Sequence, residues 1–395
     1  MKINYEQHTP REALALYCDW LSFMQEGRDF FPIYEKTRNV MEWYMVFYPL
    51  RTLLMGAKIL GKAEYSQIAE SYVDKYLTEQ LPNGGFTSTY RRQPTSGMSK
   101  ADLHNVYIHQ NVNVADNGSN VLGLVQAAGQ ASANKREEYL AAARKWFDDY
   151  LPIWILPAGG FNNGLWVGEL TQGPYTCAIS TGAAALSAFA AETNEDEYAK
   201  VAERAISFQM EDWFDDGRPV NYDPYNSTER IALNDYGHSF YLLEGMVWTH
   251  FASKNADFKR RVEERLKLWF FGEKGLLSQW WNSWFNYMVM AVPWDEGPND
   301  PMTSRRHSVR LGWELAKSNG ILHGFIYYLN NIEDNKDLRE TVEKGIKYLS
   351  HPLKCRMSGV MSDVDETYGA FAVQSTGFAG LSLAEYISPG IVFGK

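Results

Sequence analysis

Acids, amides and basic side chains stand just before, or at the opening of, successive apolar helical runs. In chain order they are Arg38, Asn39 and Glu42; Asp116, Asn117 and Asn120; Glu169 and Tyr175; Asp235, Tyr236 and His238; Arg305, Arg306, His307 and Arg310; and Asp363, Asp365, Glu366 and Tyr368. Carboxylates brought together in pairs can do general acid–base work, one donating a proton while the other activates water or steadies positive charge. Taken singly, Asp and Asn in such places also serve as helix caps, and Asp116 and Asp235 both sit where an N-cap belongs. Capping does not account for the same mixture of groups recurring at six helix starts.

Other side chains extend that chemistry. Arg305, Arg306 and His307 with Arg310 put positive charge at a helix start, against the helix dipole. An anionic ligand would account for the cluster, since Arg suits bidentate carboxylate recognition; ion pairs with Asp295, Glu296 or Asp300 would account for it equally. Trp166 follows a glycine turn, and Trp280, Trp281, Trp284, Phe285, Tyr287 and Trp294 crowd one connection. Such density in a loop implies either a packed lid or a platform on which sugar rings stack. His104 and His109 are five apart without HExxH or CxxC support, so no metal or other cofactor is expected. His250 and His323 fall inside helices and read as structural. No nucleophile elbow, phosphate loop or dinucleotide fingerprint stands in a convincing context.

The elements that must position these groups are helices. Apolar spacing of three and four residues marks twelve runs, roughly 10–25, 37–61, 63–80, 115–132, 135–151, 175–192, 195–213, 236–253, 256–271, 304–331, 336–350 and 367–387. Pro49 is expected to kink the second. No alternating strand pattern competes with them. Charged amphipaths such as Phe258–Leu266 suit a solvated outer face, whereas Ala-, Gly- and Ser-rich runs such as Thr181–Ala188 suit enclosure by neighbours. The order is outer, inner, outer, inner. Glycine turns follow the outer helices at Gly27, Gly84–Gly85, Gly159–Gly160, Gly217, Gly275 and Gly359, where a left-handed C-cap is expected. Taking Gly85 and Gly160, the spacings are 58, 75, 57, 58 and 84 residues, a repeat with insertions at about 87–114 and 276–303. The expectation is an all-α fold: six helical hairpins closed into an (α/α)6 toroid, with 1–395 as a single catalytic domain.

Composition narrows the partners. The 395 residues carry 38 basic and 48 acidic side chains, a formal charge of −10, and 45% are hydrophobic. That is enough apolar content for a large core, and an acidic chain without a basic block is poorly suited to nucleic acid or anionic membranes. Cys18, Cys177 and Cys355 are odd in number and far apart, against a disulfide framework or thiolate metal site. No run approaches the ~18 apolar residues of a membrane span. A cytoplasmic protein is expected from the sequence as written, or a periplasmic one if a leader has been removed. Asn117-Gly-Ser119 and Asn226-Ser-Thr228 match the short glycosylation pattern.

In architecture the whole chain resembles the six-hairpin glycosidases, above all the unsaturated glucuronyl hydrolases and related bacterial glucuronidases. Val114-Ala-Asp-Asn-Gly-Ser-Asn-Val-Leu122 resembles that family's Asp-Asn segment, and Ser318–Gly324 and the closing Asp365–Leu383 helix are similar in style. The resemblance implies that Asp116 is the catalytic acid/base. It implies a second carboxylate too, with Asp235 the choice and Glu42 and Asp365 the competitors. The expected activity is exo-hydrolysis of a terminal uronic acid, saturated or Δ4,5-unsaturated, from an oligosaccharide. Asn117, His238, Asp365 and Glu42 would bind substrate, Arg305, Arg306 and His307 its carboxylate, and Trp166, Trp281 and Trp284 its sugar faces. Two other classes fit the same toroid. An epimerase or uronate lyase would move a proton with His238, His307 or Tyr236, and a binding protein would hold sugar without turnover.

Overall fold

Thr9, Pro10 and Glu12 set the first helix. The Thr9 hydroxyl accepts from the Glu12 amide while the Glu12 carboxylate accepts from the Thr9 amide, a reciprocal capping box ahead of α1 (Pro10–Gln25). The computed structural model describes residues 7–26, 40–91, 112–166, 169–223, 230–233, 236–277, 319–351 and 369–394. Eleven further helices follow among them: α2 (Trp43–Leu60), α3 (Ala63–Leu77), α4 (Val114–Ala128), α5 (Ala133–Lys145), α6 (Thr176–Thr193), α7 (Asp196–Glu211), α8 (Tyr236–Ala252), α9 (Ala256–Phe271), α10 (319–331), α11 (Lys336–Leu349) and α12 (Gly369–Ile387). Each of the twelve runs expected from periodicity contains a helix among the described residues, with 304–318 lying outside them and 40–42 forming a strand, and the helices make an (α/α)6 toroid.

Burial separates the two rings. Helix α7 buries Tyr198, Ala199, Ala202, Ala205, Ile206, Gln209 and Met210, one stripe at helical spacing. Helix α6 is buried continuously from Thr176 to Ala190, as a helix enclosed by neighbours must be. The inner ring runs α2, α4, α6, α8, α10, α12 and back to α2. A glycine stands at its seams. A Cβ on Gly123 would lie 2.4 Å from Phe47, on Gly118 2.7 Å from the Gly182 amide, and on Gly245 2.6 Å from the Ser180 carbonyl. Gly320 lies against both Phe240 and Phe378, and Gly377 against the Pro49 nitrogen at 2.4 Å. Glycine thus lets inner helices approach closely, against backbone at Gly118, Gly245 and Gly377 and against an aromatic ring at Gly123 and Gly320.

Three turns repeat one design. Leu81, Leu156 and Phe214 donate to the carbonyls of Gly85, Gly160 and Arg218, and Gly84, Gly159 and Gly217 close the turns with φ of +86°, +102° and +94°. Left-handed glycine was expected here as a helix cap. Instead it lies several residues beyond the helix, inside a tight turn that a β-bridge clamps, such as Gln80–Phe86 or Ile155–Phe161. Gly27 and Gly359 fall outside the described residues. Each turn then returns a carbonyl to an inner helix: Ser88 accepts from the Trp43 amide, Asn163 from Val114 and Tyr222 from Thr176.

Two local features depart from expectation. The run expected as one helix over 135–151 ends at Lys145 and continues as a π-turn (Trp146–Tyr150) and a 3-10 turn (Leu151–Trp154). Pro152 lacks an amide to continue the helix, and the wider turn keeps Trp146, Phe147 and Tyr150 on the buried side. Short strands also appear: β1 (Val40–Glu42), β2 (Thr89–Arg91), β3 (Val112–Asn113), β4 (Gly164–Trp166), β5 (Glu169–Leu170), β6 (Val220–Asn221) and β7 (Ile231–Ala232). They form antiparallel sheets β1–β2, β3–β4–β5 and β6–β7 beside the inner-helix starts. Strands this short carry no readable alternation.

Polar groups fill the lumen below those starts. Arg51 on α2 and Glu244 on α8, opposite one another in the ring, form an ion pair of 2.7 Å with both side chains at most 1% exposed. Tyr48 donates to Glu244 at 3.2 Å, and Arg51 donates through Nε to Gln126 at 2.6 Å. His323 approaches Glu244 at 3.9 Å. Burial holds the His323 imidazole below its ordinary value and lifts the Tyr48 hydroxyl well above its own. At the far end, the 3-10 turn Ile391–Phe393 closes the lumen. Glu385 accepts from the Gly390 and Val392 amides, and Phe393 packs on Trp248 and Tyr327.

Glu244→Ala strands a buried guanidinium and is expected to cost about 3–5 kcal/mol of unfolding free energy. The pair Arg51→Met with Glu244→Leu should recover most of it; urea unfolding of the three variants checks this. His323 and His250 supply a pH dependence, because burial lowers both below the ordinary value of 6.5. The unfolded chain takes up protons that the folded chain refuses, so stability should fall as pH drops below about 6.5, by up to ~1.4 kcal/mol per pH unit for each histidine. Urea midpoints at pH 7 and pH 5 read this, and His323→Gln should flatten the slope.

Candidate active site

The N-terminus of α4 satisfies its own backbone in an unusual way. The Val114 amide donates to the Asn163 carbonyl at 2.9 Å, the Ala115 amide to Asn163 Oδ1 at 3.1 Å, and the Asp116 amide to Asn113 Oδ1 at 2.7 Å. Asn113 is therefore the N-cap, and Asp116 is the third residue of the helix. The expectation that Asp116 occupies a cap position is corrected by one turn. Its carboxylate caps none of those three donors, yet the residue is only 8% exposed. Asn113 Nδ2 donates to Asp116 Oδ2 at 2.6 Å and to Ser88 Oγ at 3.2 Å.

Several rings meet this end of the lumen. The charge of Asp116 is felt by Tyr76 on α3, by Tyr175 at the start of α6 and by Tyr241 on α8. Burial pushes all three hydroxyls well above their ordinary value, and the carboxylate pushes them further. Tyr175 also feels Cys177 and Asp223. Its hydroxyl lies 3.4 Å from His238 Nε2, with the two rings edge to face. One turn further in, Tyr48 reaches Ser119 at 3.3 Å and so links this layer to the Arg51–Glu244 pair.

The expected site residues separate into three groups. Asp116 and His238 are brought to the same end, with Tyr175 between them. Asn117 lies there as well, but its amide is wholly buried and clasps the Phe86 backbone, accepting from its N–H at 2.7 Å and donating to its carbonyl at 2.8 Å. The amide expected on a substrate thus anchors the Leu81–Ser88 turn, and a buried Asn117 within α4 is no glycosylation acceptor. Glu42 and Trp166 are placed only through their backbones, paired with Thr89 and Glu169. Asp235, Trp281, Trp284, Arg305, Arg306, His307 and Asp365 lie outside the described residues, as do Tyr236's side chain, His104 and His109. Among the described residues no group of three His, Cys, Asp or Glu side chains could hold a metal, and no helix is long and apolar enough to cross a membrane.

Asn113, Tyr241 and Asp223 were not singled out by sequence. Asn113 had a usable signal, since Asn followed three residues later by Asp at a helix start makes both cap candidates. Tyr241 and Asp223 are brought near by chain closure and carry no local signal.

No family model and no curated protein matches the chain. Solved structures do. A family 76 glycoside hydrolase from a bovine Bacteroides thetaiotaomicron strain superposes with a TM-score of 0.61 at 12% identity, over 96% of this chain and 78% of that one. An unsaturated glucuronyl hydrolase specific for heparin gives 0.56 at 12% identity, over 96% and 97%. A sugar epimerase from a ruminal bacterium gives 0.56 at 13% identity, over 85% and 84%. Identities this low establish a shared (α/α)6 fold.

The Asn117 clasp makes a stability prediction. Asn117→Ala leaves the Phe86 N–H and C=O buried and unpaired, at about 1–3 kcal/mol for each. Urea unfolding should therefore show a loss above ~1 kcal/mol, whereas a change within ±0.5 kcal/mol would contradict the anchoring role.

Proposed function

We propose that the chain is an exo-acting glycoside hydrolase that removes a terminal uronic acid, saturated or Δ4,5-unsaturated, from oligosaccharides. Asp116 is the general acid/base. The observation that carries this reading is the Asp116 carboxylate itself: buried at an inner-helix start, held by the Asn113 amide, and close enough for its charge to raise the Tyr175 and Tyr241 hydroxyls. A buried carboxylate at an inner-helix start, ringed by tyrosines that its charge perturbs, is suited to exchanging a proton with a substrate. The shared fold with an unsaturated glucuronyl hydrolase and a family 76 glycoside hydrolase supports a carbohydrate-active enzyme.

On a saturated substrate Asp116 protonates the glycosidic oxygen as that bond breaks, and a second carboxylate activates the incoming water. Asp235 takes that part on sequence grounds. On an unsaturated substrate the proton goes to C4 of the vinyl ether, water adds at C5, and the resulting hemiketal opens to release the sugar. The cationic cluster Arg305, Arg306 and His307 suits the uronate carboxylate, and Trp166, Trp281 and Trp284 suit the sugar faces.

A second reading draws on the Tyr175–His238 pair at 3.4 Å. A hydroxyl–imidazole pair is suited to moving a proton on and off a sugar carbon, and a sugar epimerase shares the fold. Turnover of a saturated substrate in D2O separates the readings, since epimerisation by proton exchange puts deuterium on a sugar carbon and releases no sugar, whereas hydrolysis releases sugar and leaves every carbon unlabelled.

Asp116→Asn is expected to lower kcat by about 10²–10⁴-fold on uronate-terminated oligosaccharides. Released reducing sugar gives the rate, and an unchanged circular dichroism spectrum shows that the fold persists. Wild-type turnover in the variant would contradict the assignment.

A further inference from the structure

We infer that Asn113 is a positioning residue for the Asp116 carboxyl, fixing which of its oxygens exchanges the proton and limiting how tightly burial makes the carboxyl hold it. The inference rests on Asp116 being the acid/base. Asn113 is wholly buried, and all three of its amide contacts are defined. Its Oδ1 accepts from the Asp116 backbone N–H at 2.7 Å, so the amide cannot be turned over without breaking the helix cap. Nδ2 must then face the carboxylate, where it donates to Oδ2 at 2.6 Å, with its other hydrogen directed at Ser88 Oγ at 3.2 Å.

An amide nitrogen donates and does not accept. Oδ2 of Asp116 therefore keeps a donor in front of it in every protonation state, and a proton on this carboxyl is carried by Oδ1. A donor aimed at a carboxylate also favours the charged form, as does the N-terminus of α4. The same residue thus caps the helix, orients the acid and biases its charge. The backbone of Asn113 is held in turn by β3, which pairs it with Gly164.

Titratable groups that feel the Asp116 charge include Tyr76 from α3, Tyr175 just before α6 and Tyr241 from α8. Behind them stand Glu79 beside Tyr76, Cys177 and Asp223 beside Tyr175, His238 against the Tyr175 hydroxyl, and Tyr44 and Tyr48 beside Tyr241.

Asn113→Asp tests this. Aspartate caps as well as asparagine does, so the fold is kept while the donor becomes a second carboxylate facing Oδ2. The carboxyl titration of aspartate-13C-labelled protein is followed by NMR, the Asp116 resonance being identified by its loss in Asp116→Asn. In Asn113→Asp the pair should titrate in two steps, the upper at least about one pH unit above the wild-type midpoint. Asn113→Ser keeps a cap oxygen but removes the amide donor, and should move the midpoint up by less. The Asp116 limb of the kcat–pH profile should move the same way, which a purely structural role would not produce. An unmoved or lowered midpoint in both variants overturns the inference. Wild-type turnover in Asp116→Asn would instead overturn the acid/base reading on which it rests, so the two failures are told apart.

Discussion

A ring of six parallel inner helices encloses an axis that something must fill, and here an ion pair fills it. Arg51 and Glu244 reach from opposite sides of the ring, held by Tyr48, Gln126 and His323. Desolvating two charges costs several kcal/mol each, and hydrophobic residues of equal volume would often pack as stably. The pair ties two opposite inner helices together. Its geometry tolerates little rotation of α2 or α8, and Gln126 extends the constraint to α4 and, through the Val392 carbonyl, to the C-terminal turn. Glycine at the inner seams then lets neighbouring backbones close against that frame.

The site depends on this arrangement because it is built from helix starts. Tyr48 joins Glu244 to Ser119, and Ser119 lies one turn below Asp116 on α4. The returning turns contribute from the other side. Ser88 and Asn163 each hold a backbone amide at an inner-helix start and also touch the Asn113–Asp116 region by side chain. The carboxylate is thus fixed by α4, by its cap and by two turns that follow outer helices. The elements that close the toroid are the ones that place the Asp116 carboxylate.

Much of the fold was legible in the sequence, for a physical reason. Enclosure on all sides selects small uncharged residues over a whole helix, as at Thr176–Ala190, whereas one-sided burial selects a stripe, as at Leu338–Leu349. That contrast reads directly as inner and outer. The central ion pair also had a signal: Arg51 is the one charged residue in 43–57 and Glu244 the one in 239–249. Less was legible where local chemistry is degenerate. Asn113 and Asp116 are equally good caps three residues apart, so the cap was placed one turn late. Strands of two or three residues have no period, and the π-turn at Trp146–Tyr150 looks like helix until Pro152. Contacts such as Tyr175–His238 arise only from ring closure.

On the proposed function, the N-terminal end of the inner ring holds the sugar, with its scissile region against residue 116. A crystal structure of Asp116→Asn soaked with a Δ4,5-unsaturated uronyl oligosaccharide tests it most directly. The terminal uronate is expected at that end, with its C4 or glycosidic oxygen within about 3.5 Å of the residue 116 side chain. Sugar bound elsewhere on the toroid, with residue 116 facing only protein, would contradict it.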